Sequence, residues 1–340
     1  MVKEFPNRFY LEHLDQVDFN LPNKYSFDFL SIYDNLPEAK DAEWKESEHP
    51  RIQAGGSKGG QFTKAGGAGA GGKRTPEAGG ELPQHIVKLR IPPAWTDVSY
   101  NEDPDGDLLV TGRDAKGRQQ TIYSERFSKT QAEAKFRRIE ELNNKFKQIQ
   151  AENDENRKNP KTRDLANVLS LIMATGIRPG SEDDTLAAKK AYGATTLEGR
   201  HVVVSPSGEV RLQFVGKKGV DIDIPVSNSQ VSSMLRIYSK RAGPSGQLFP
   251  GVSAGRLLSY VHGLDGGSFK TKDFRTLLGT SIAQKEVMRY QRPKDAKIYK
   301  KMVMAVAKKV SEALGNTPTI ALQSYIAPEV FARWRMSAHV

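Results

Sequence analysis

The 340-residue chain has no cysteine, which excludes disulfide scaffolds, thiolate zinc sites, iron–sulfur clusters and cysteine nucleophiles together. It also lacks any apolar run approaching the roughly 20 residues that a membrane-spanning helix requires. Residues 1–30 carry acidic side chains and no apolar signal-peptide core. Histidine is scarce: six are scattered along the chain, with no H-x-H, HExxH or Walker-type loop. Metal and nucleotide-triphosphate chemistry therefore find no motif, and no cofactor is expected. The acidic triplet Glu182-Asp183-Asp184 reads as the start of a helix favoured by the macrodipole, not as a metal cluster. These absences leave a soluble intracellular protein, cytoplasmic or viral, as the expectation.

What is abundant is basic charge, and it is unevenly placed. The net charge is +11. The first 50 residues hold five basic and eleven acidic side chains, a balance of −6, so the remainder carries +17. A body this basic points to a polyanion, with nucleic acid the first candidate.

Composition divides the chain. Residues 1–50 form an acidic extension with scattered aromatics. Residues 51–82 are expected to be a glycine-rich linker, since eleven glycines fall within 51–80 and little apolar surface is on offer. From residue 83 the pattern is that of ordered structure. Asp107–Gly112 and Arg118–Tyr123 flank a turn at Asp114–Gly117 and predict a β-hairpin. Residues 129–151 predict a helix, and Asn153–Pro160 a hinge between a β-rich lobe (83–155) and a second lobe (156–340).

In that second lobe Thr162 is read as the cap of a helix with an apolar stripe of Leu165, Val168, Leu169, Ile172 and Met173, stopped by Gly176. His201–Ser205, Val210–Val215 and Val220–Val226 predict three strands. The turn Gly216-Lys217-Lys218-Gly219 would hold two lysines at a hairpin tip. A helix with apolar Met302, Val303, Val306, Val310, Ala313 and Leu314 ends at Gly315, its other face carrying Lys300, Lys301, Lys308 and Lys309. Thr317-Pro318 then predicts the cap and first residue of a helix bearing Tyr325.

Basic residues recur beside structural stops, and with them the chain resembles a known family. Thr175-Gly176-Ile177-Arg178-Pro179-Gly180, Tyr192-Gly193-Ala194-Thr195-Thr196-Leu197, Phe214-Val215-Gly216-Lys217, Lys272-Asp273-Phe274-Arg275-Thr276 and Leu314-Gly315-Asn316-Thr317-Pro318 with Ser324-Tyr325 follow, in order, the motifs of type IB DNA topoisomerases of the small bacterial and poxvirus kind. The resemblance spans about residues 85–330. It implies an α+β fold, with a small β-rich lobe and a larger, mainly helical catalytic lobe forming a C-shaped clamp on duplex DNA, and a monomer without a membrane partner.

It further implies relaxation of supercoils through a 3′-phosphotyrosyl intermediate, without ATP or metal. Tyr325 would be the nucleophile, Arg178, Arg275 and Asn316 the stabilisers of the phosphorane, Lys217 the general acid and Lys272 a further cation. Arg118, Gln120, Tyr123 and Lys218 would contact DNA. The chain departs from the pattern at Thr121 and Leu277, where aromatics are expected. The alternatives are a tyrosine recombinase, which shares the chemistry, and a catalytically silent DNA-binding clamp. Tyr290 and Tyr299 are the rival phenols.

Overall fold

The computed structural model describes residues 73–74, 83–115, 117–186 and 190–334. The acidic extension lies outside the described residues, as does the expected linker apart from Lys73 and Arg74. Those two form a short strand, β1 (Lys73–Arg74), which opens a four-stranded antiparallel sheet in the order β1-β2-β3-β4.

The hairpin read from the sequence is the outer half of this sheet, β3 (Leu108–Arg113) with β4 (Gln119–Tyr123). Gly117 takes φ 72° in the turn, a conformation that glycine adopts without a Cβ penalty. Strand β2 (Thr96–Asn101) has no counterpart in the sequence reading. Its alternation is broken by a register shift between Thr96 and Ser99 and by Asp97 at positive φ. Ile86 of α1 (Gln84–Val87), Tyr100, Leu109 and Val110 form the core of this unit.

Next comes α2 (Glu125–Asn156), longer at both ends than expected. The two compact units of the chain part between Phe136 and Arg137, inside this helix. Asn153, where the sequence suggests a hinge, is fully buried. Its amide donates to the Ala166 carbonyl and to Ser170 Oγ, and its carbonyl oxygen accepts from Tyr260. This end of α2 is thus fastened into the core of the larger unit.

Of the stripe read in α3 (Arg163–Thr175), Val168, Leu169 and Ile172 are buried and Leu165 and Met173 half-buried, and Gly176 closes the helix in the left-handed conformation, φ 64°. Thr162 does not cap it. Its backbone is already near-helical, and its hydroxyl donates back to the Asn156 carbonyl instead. Acidic Glu182 begins α4 (Glu182–Leu186). The three predicted strands pair antiparallel as β5 (Val202–Val204), β6 (Val210–Gly216) and β7 (Val220–Pro225). Ile224 and Val226 are buried while Asp221 and Asp223 are exposed, as the alternation demands; Val220, near the tip, is exposed as well.

Helices α5 (Ser229–Ala242), α6 (Ala254–Asp265) and α7 (Thr271–Val287) complete the core with α3. Helix α8 (Ala296–Leu314) buries Val303, Val306, Val310 and Leu314, leaves its lysine face to solvent, and ends at left-handed Gly315. Thr317 caps α9 (Pro318–Tyr325) by accepting from the Ile320 N–H, with proline at the first helical position as read. Among the described residues no helix is long and apolar enough to cross a membrane.

Candidate active site

The loop after α3 and helix α7 both meet the last residue of α9. A Cβ on Gly176 would lie 2.6 Å from Leu314 Cδ2, so only glycine lets α3 end against α8. Its carbonyl accepts from Arg275 Nη1, while Arg275 Nη2 donates to the Leu314 carbonyl at 2.7 Å. One guanidinium on α7 thus joins the ends of α3 and α8. Arg275 is itself 5% exposed, and its Cζ sits 4.7 Å from the centre of the Tyr325 ring.

Arg178, two residues beyond Gly176, donates from Nη2 to Tyr325 Oη at 3.2 Å. The phenol is therefore held between two guanidiniums. Burial alone would raise its pKa, and that is the largest single effect. The charges of Arg275 and Arg178 together with their hydrogen bonds outweigh it, so the phenol is held below its ordinary value of 10.0.

The sequence placed Arg275 as a fork for phosphate oxygens. The structure shows both its terminal nitrogens donating to backbone carbonyls, which leaves Nε as its buried donor without a hydrogen-bond partner among the described residues. The side-chain oxygen and nitrogen of Asn316, two residues past Leu314, are likewise buried and unpartnered. Unsatisfied buried donors beside fixed positive charge suit an oxyanion.

Lys217 begins the turn between β6 and β7 and is exposed; Lys218 lies in the same turn. The root of this hairpin is packed. A Cβ on Gly315 would come within 2.5 Å of Ile222 Cδ1, so β7 abuts the loop that carries Asn316. Lys272 is exposed in the first turn of α7.

A strap of residues 191–196 ties the Arg178 loop to β6. The Arg178 carbonyl accepts from Ala194 N–H, the Pro179 carbonyl from Thr195 N–H, and the Val215 carbonyl from Tyr192 N–H, each at 2.8 Å. Behind the strap, His201 lies between the rings of Tyr192 and Phe214, and its Nδ1 accepts from the Glu198 N–H. That bond needs an unprotonated Nδ1. Burial, the largest effect, pushes the His201 pKa below its ordinary 6.5 despite the opposing charge of Glu198. The unfolded chain therefore binds the proton more readily, so this stability is present above the unfolded value and lost as pH falls through the folded one. The melting temperature should drop on acidification from about pH 7 to pH 5, and less so in His201→Asn, whose amide oxygen keeps the acceptor without the titration. Equal drops in both proteins would refute the assignment.

Two pairings were not legible in the sequence. Arg138 of α2 makes a two-point ion pair with Asp273 of α7, at 2.8 and 3.1 Å, and the same carboxylate accepts from the Lys270 N–H to cap α7. Asp273 is 1% exposed and stands between Lys272 and Arg275. Thr280, on the Tyr325 side of α7, bonds the backbone there.

The rival phenols differ in setting. Tyr290 Oη donates to a carboxylate oxygen of Glu286 at 3.0 Å, and Tyr299 lies on α8. In the smaller unit Arg118 and Gln120 share one acceptor, Asp114 Oδ2, at 2.8 Å from Arg118 Nε and 3.1 Å from Gln120 Nε2. Tyr123 is partly buried and stacks on Phe127 at 5.0 Å. No group of three or more acidic or histidine side chains among the described residues is arranged to hold a metal.

Comparison with known proteins finds matches over the part of the chain that holds these residues. Residues 124–332 match the family described as eukaryotic DNA topoisomerase I, catalytic core, and residues 79–114 match the bacterial DNA topoisomerase IB N-terminal domain. The chain is 28% identical over 263 residues to DNA topoisomerase 1B of Acanthamoeba polyphaga mimivirus, covering 72% of this chain and 77% of that one. It is 26% identical to DNA topoisomerase I of monkeypox virus and 25% to DNA topoisomerase 1B of vaccinia virus (strain Copenhagen). Each of these matches runs over 266 residues, 74% of this chain and 80% of the relative.

Proposed function

Because this chain belongs to the type IB DNA topoisomerase family, we propose that it relaxes supercoiled duplex DNA by transesterification at Tyr325. The observation that carries this reading is the phenol itself, bonded by Arg178 and lying against Arg275. A phenol is a poor nucleophile while protonated, and two adjacent guanidiniums favour its anion.

Tyr325 Oη gives its proton to solvent water and forms a bond to the scissile phosphorus. The bond from phosphorus to the 5′-oxygen breaks, and Lys217 gives that oxygen a proton. Arg178, Arg275 and the Asn316 amide stabilise the charge of the phosphorane, with Lys272 a further cation. The 3′-phosphotyrosyl ester keeps the energy of the broken linkage, so the free strand swivels and its 5′-hydroxyl attacks back without metal or nucleotide.

Arg118, Gln120, Tyr123 and Lys218 contact the duplex, the β-rich lobe and the catalytic lobe closing on it as a C-shaped clamp. The protein works as a monomer on cytoplasmic or viral DNA.

The test is plasmid relaxation by the purified chain. Relaxation should persist in EDTA without ATP on a plasmid that carries no recombination site. Affinity should fall about 10³-fold or more between roughly 50 and 200 mM salt, because each neutralised phosphate releases counterions. A requirement for nucleotide, or a flat salt response, would overturn the reading.

A further inference from the structure

Helix α9 ends at Tyr325, so the carbonyl of the proposed nucleophile is among those for which the helix itself has no partner. Thr280 of α7 supplies one. Its hydroxyl donates to the Tyr325 carbonyl at 3.2 Å and accepts from the Ala327 N–H at 3.1 Å. A hydroxyl has one proton and two lone pairs, and here it acts as donor and acceptor at once. The two bonds bracket Ile326, whose φ −117° and ψ 120° turn the chain out of the helix. Thr280 is 6% exposed, so water does not compete for these bonds.

The residue before it makes the approach possible. A Cβ on Gly279 would lie 2.7 Å from the Tyr325 carbonyl oxygen and 3.0 Å from Tyr325 Cβ. Gly279 shows no positive φ, so its backbone would accept any residue. What requires glycine here is the nearness of Tyr325. Gly279 also lies one helical turn beyond Arg275, so the helix face that presents the guanidinium to the ring is the face against which the backbone of Tyr325 rests.

We propose that Gly279 and Thr280 form a seat for the nucleophile. Gly279 sets how closely the backbone of Tyr325 approaches α7, Thr280 fixes its carbonyl and the exit of the chain, and together they hold Oη in line with the scissile phosphate. They are positioning residues, since neither touches the reacting atoms. The inference rests on Tyr325 being the nucleophile. An error of about 1 Å at a reacting atom costs on the order of 10²-fold in rate, while binding of the substrate need not change.

Single-turnover cleavage of a defined duplex tests this, read with duplex affinity, thermal unfolding and peptide mapping of the wild-type adduct. Thr280→Val keeps the shape and removes the hydroxyl; its cleavage rate should fall about 10- to 100-fold at unchanged affinity. Thr280→Ser restores the hydroxyl and should restore most of the rate. Gly279→Ala introduces the better helix former, yet it should also slow cleavage because its methyl meets Tyr325.

If Thr280→Val fails to fold, the Ser and Gly279→Ala variants decide alone: a fast Thr280→Ser with a slow Gly279→Ala supports the seat. Wild-type rates in Thr280→Val or Gly279→Ala overturn it, as does a Thr280→Ser that cleaves no faster than Thr280→Val. An adduct mapped to Tyr325 together with undiminished variants sinks the seat and spares the nucleophile. An adduct on any other residue sinks both.

Discussion

Tyr325→Phe should abolish the covalent protein–DNA adduct and lower relaxation by about 10⁴-fold or more, the loss expected when the proposed bond-forming atom is removed. Duplex affinity and folding stay near those of the wild type, for reasons found in the site. The ring is 9% exposed and lies under Arg275, and a phenyl group keeps that packing and the contact of the cation with its face. Arg178 loses an acceptor, but its side chain remains partly open to water. The measurement is trapping of radiolabelled duplex in denaturing gels, with Tyr290→Phe as control. The Tyr290 hydroxyl faces Glu286, so its removal leaves the adduct in place. An adduct of normal yield in Tyr325→Phe would transfer the chemistry to another residue and dissolve the site as described.

The parts of the fold that were legible in the sequence are those where local chemistry dictates conformation. Gly176 and Gly315 stop helices because a left-handed terminal residue is nearly free for glycine, and Thr317-Pro318 starts one because the hydroxyl caps and the ring presets φ. These same stops are followed by Arg178, Asn316 and Tyr325, so these residues of the candidate site stand near glycine and proline.

What could not be read depends on partners far away in sequence. Arg138 and Asp273 are 135 positions apart, and nothing in the sequence near Asp273 distinguishes a capping acid from one that also holds an arginine. Strand β2 was missed because its irregular register hides the alternation. Thr162 looked like a cap, yet the carbonyl of Asn156 claimed its hydroxyl. Gly279 did carry a signal. A lone glycine inside a helix weakens it by about 1 kcal/mol relative to alanine, so its presence in α7 called for a packing reason, and the backbone of Tyr325 is that reason.

Lys217→Ala should slow cleavage by about 10²- to 10⁴-fold on a normal phosphodiester, the range for loss of a general acid, and leave the fold intact because the side chain is exposed. The hairpin that carries it is built for reach on a fixed base. Gly216 pairs with Val220, Gly219 turns at φ 74°, and Ile222 rests against Gly315, so the tip projects from a packed root. The deficit should vanish on a duplex with sulfur at the bridging 5′ position, because a thiolate departs without a proton. Lys217→Arg separates charge from proton transfer. A guanidinium keeps the positive charge but does not release a proton at neutral pH, so this variant should be slow with the oxygen leaving group and fast with sulfur. If Lys217→Arg cleaves the ordinary duplex at the wild-type rate, the lysine acts through its charge alone. If sulfur restores neither variant, Lys217 does not protonate the leaving strand, and the 5′-oxygen must take its proton from elsewhere.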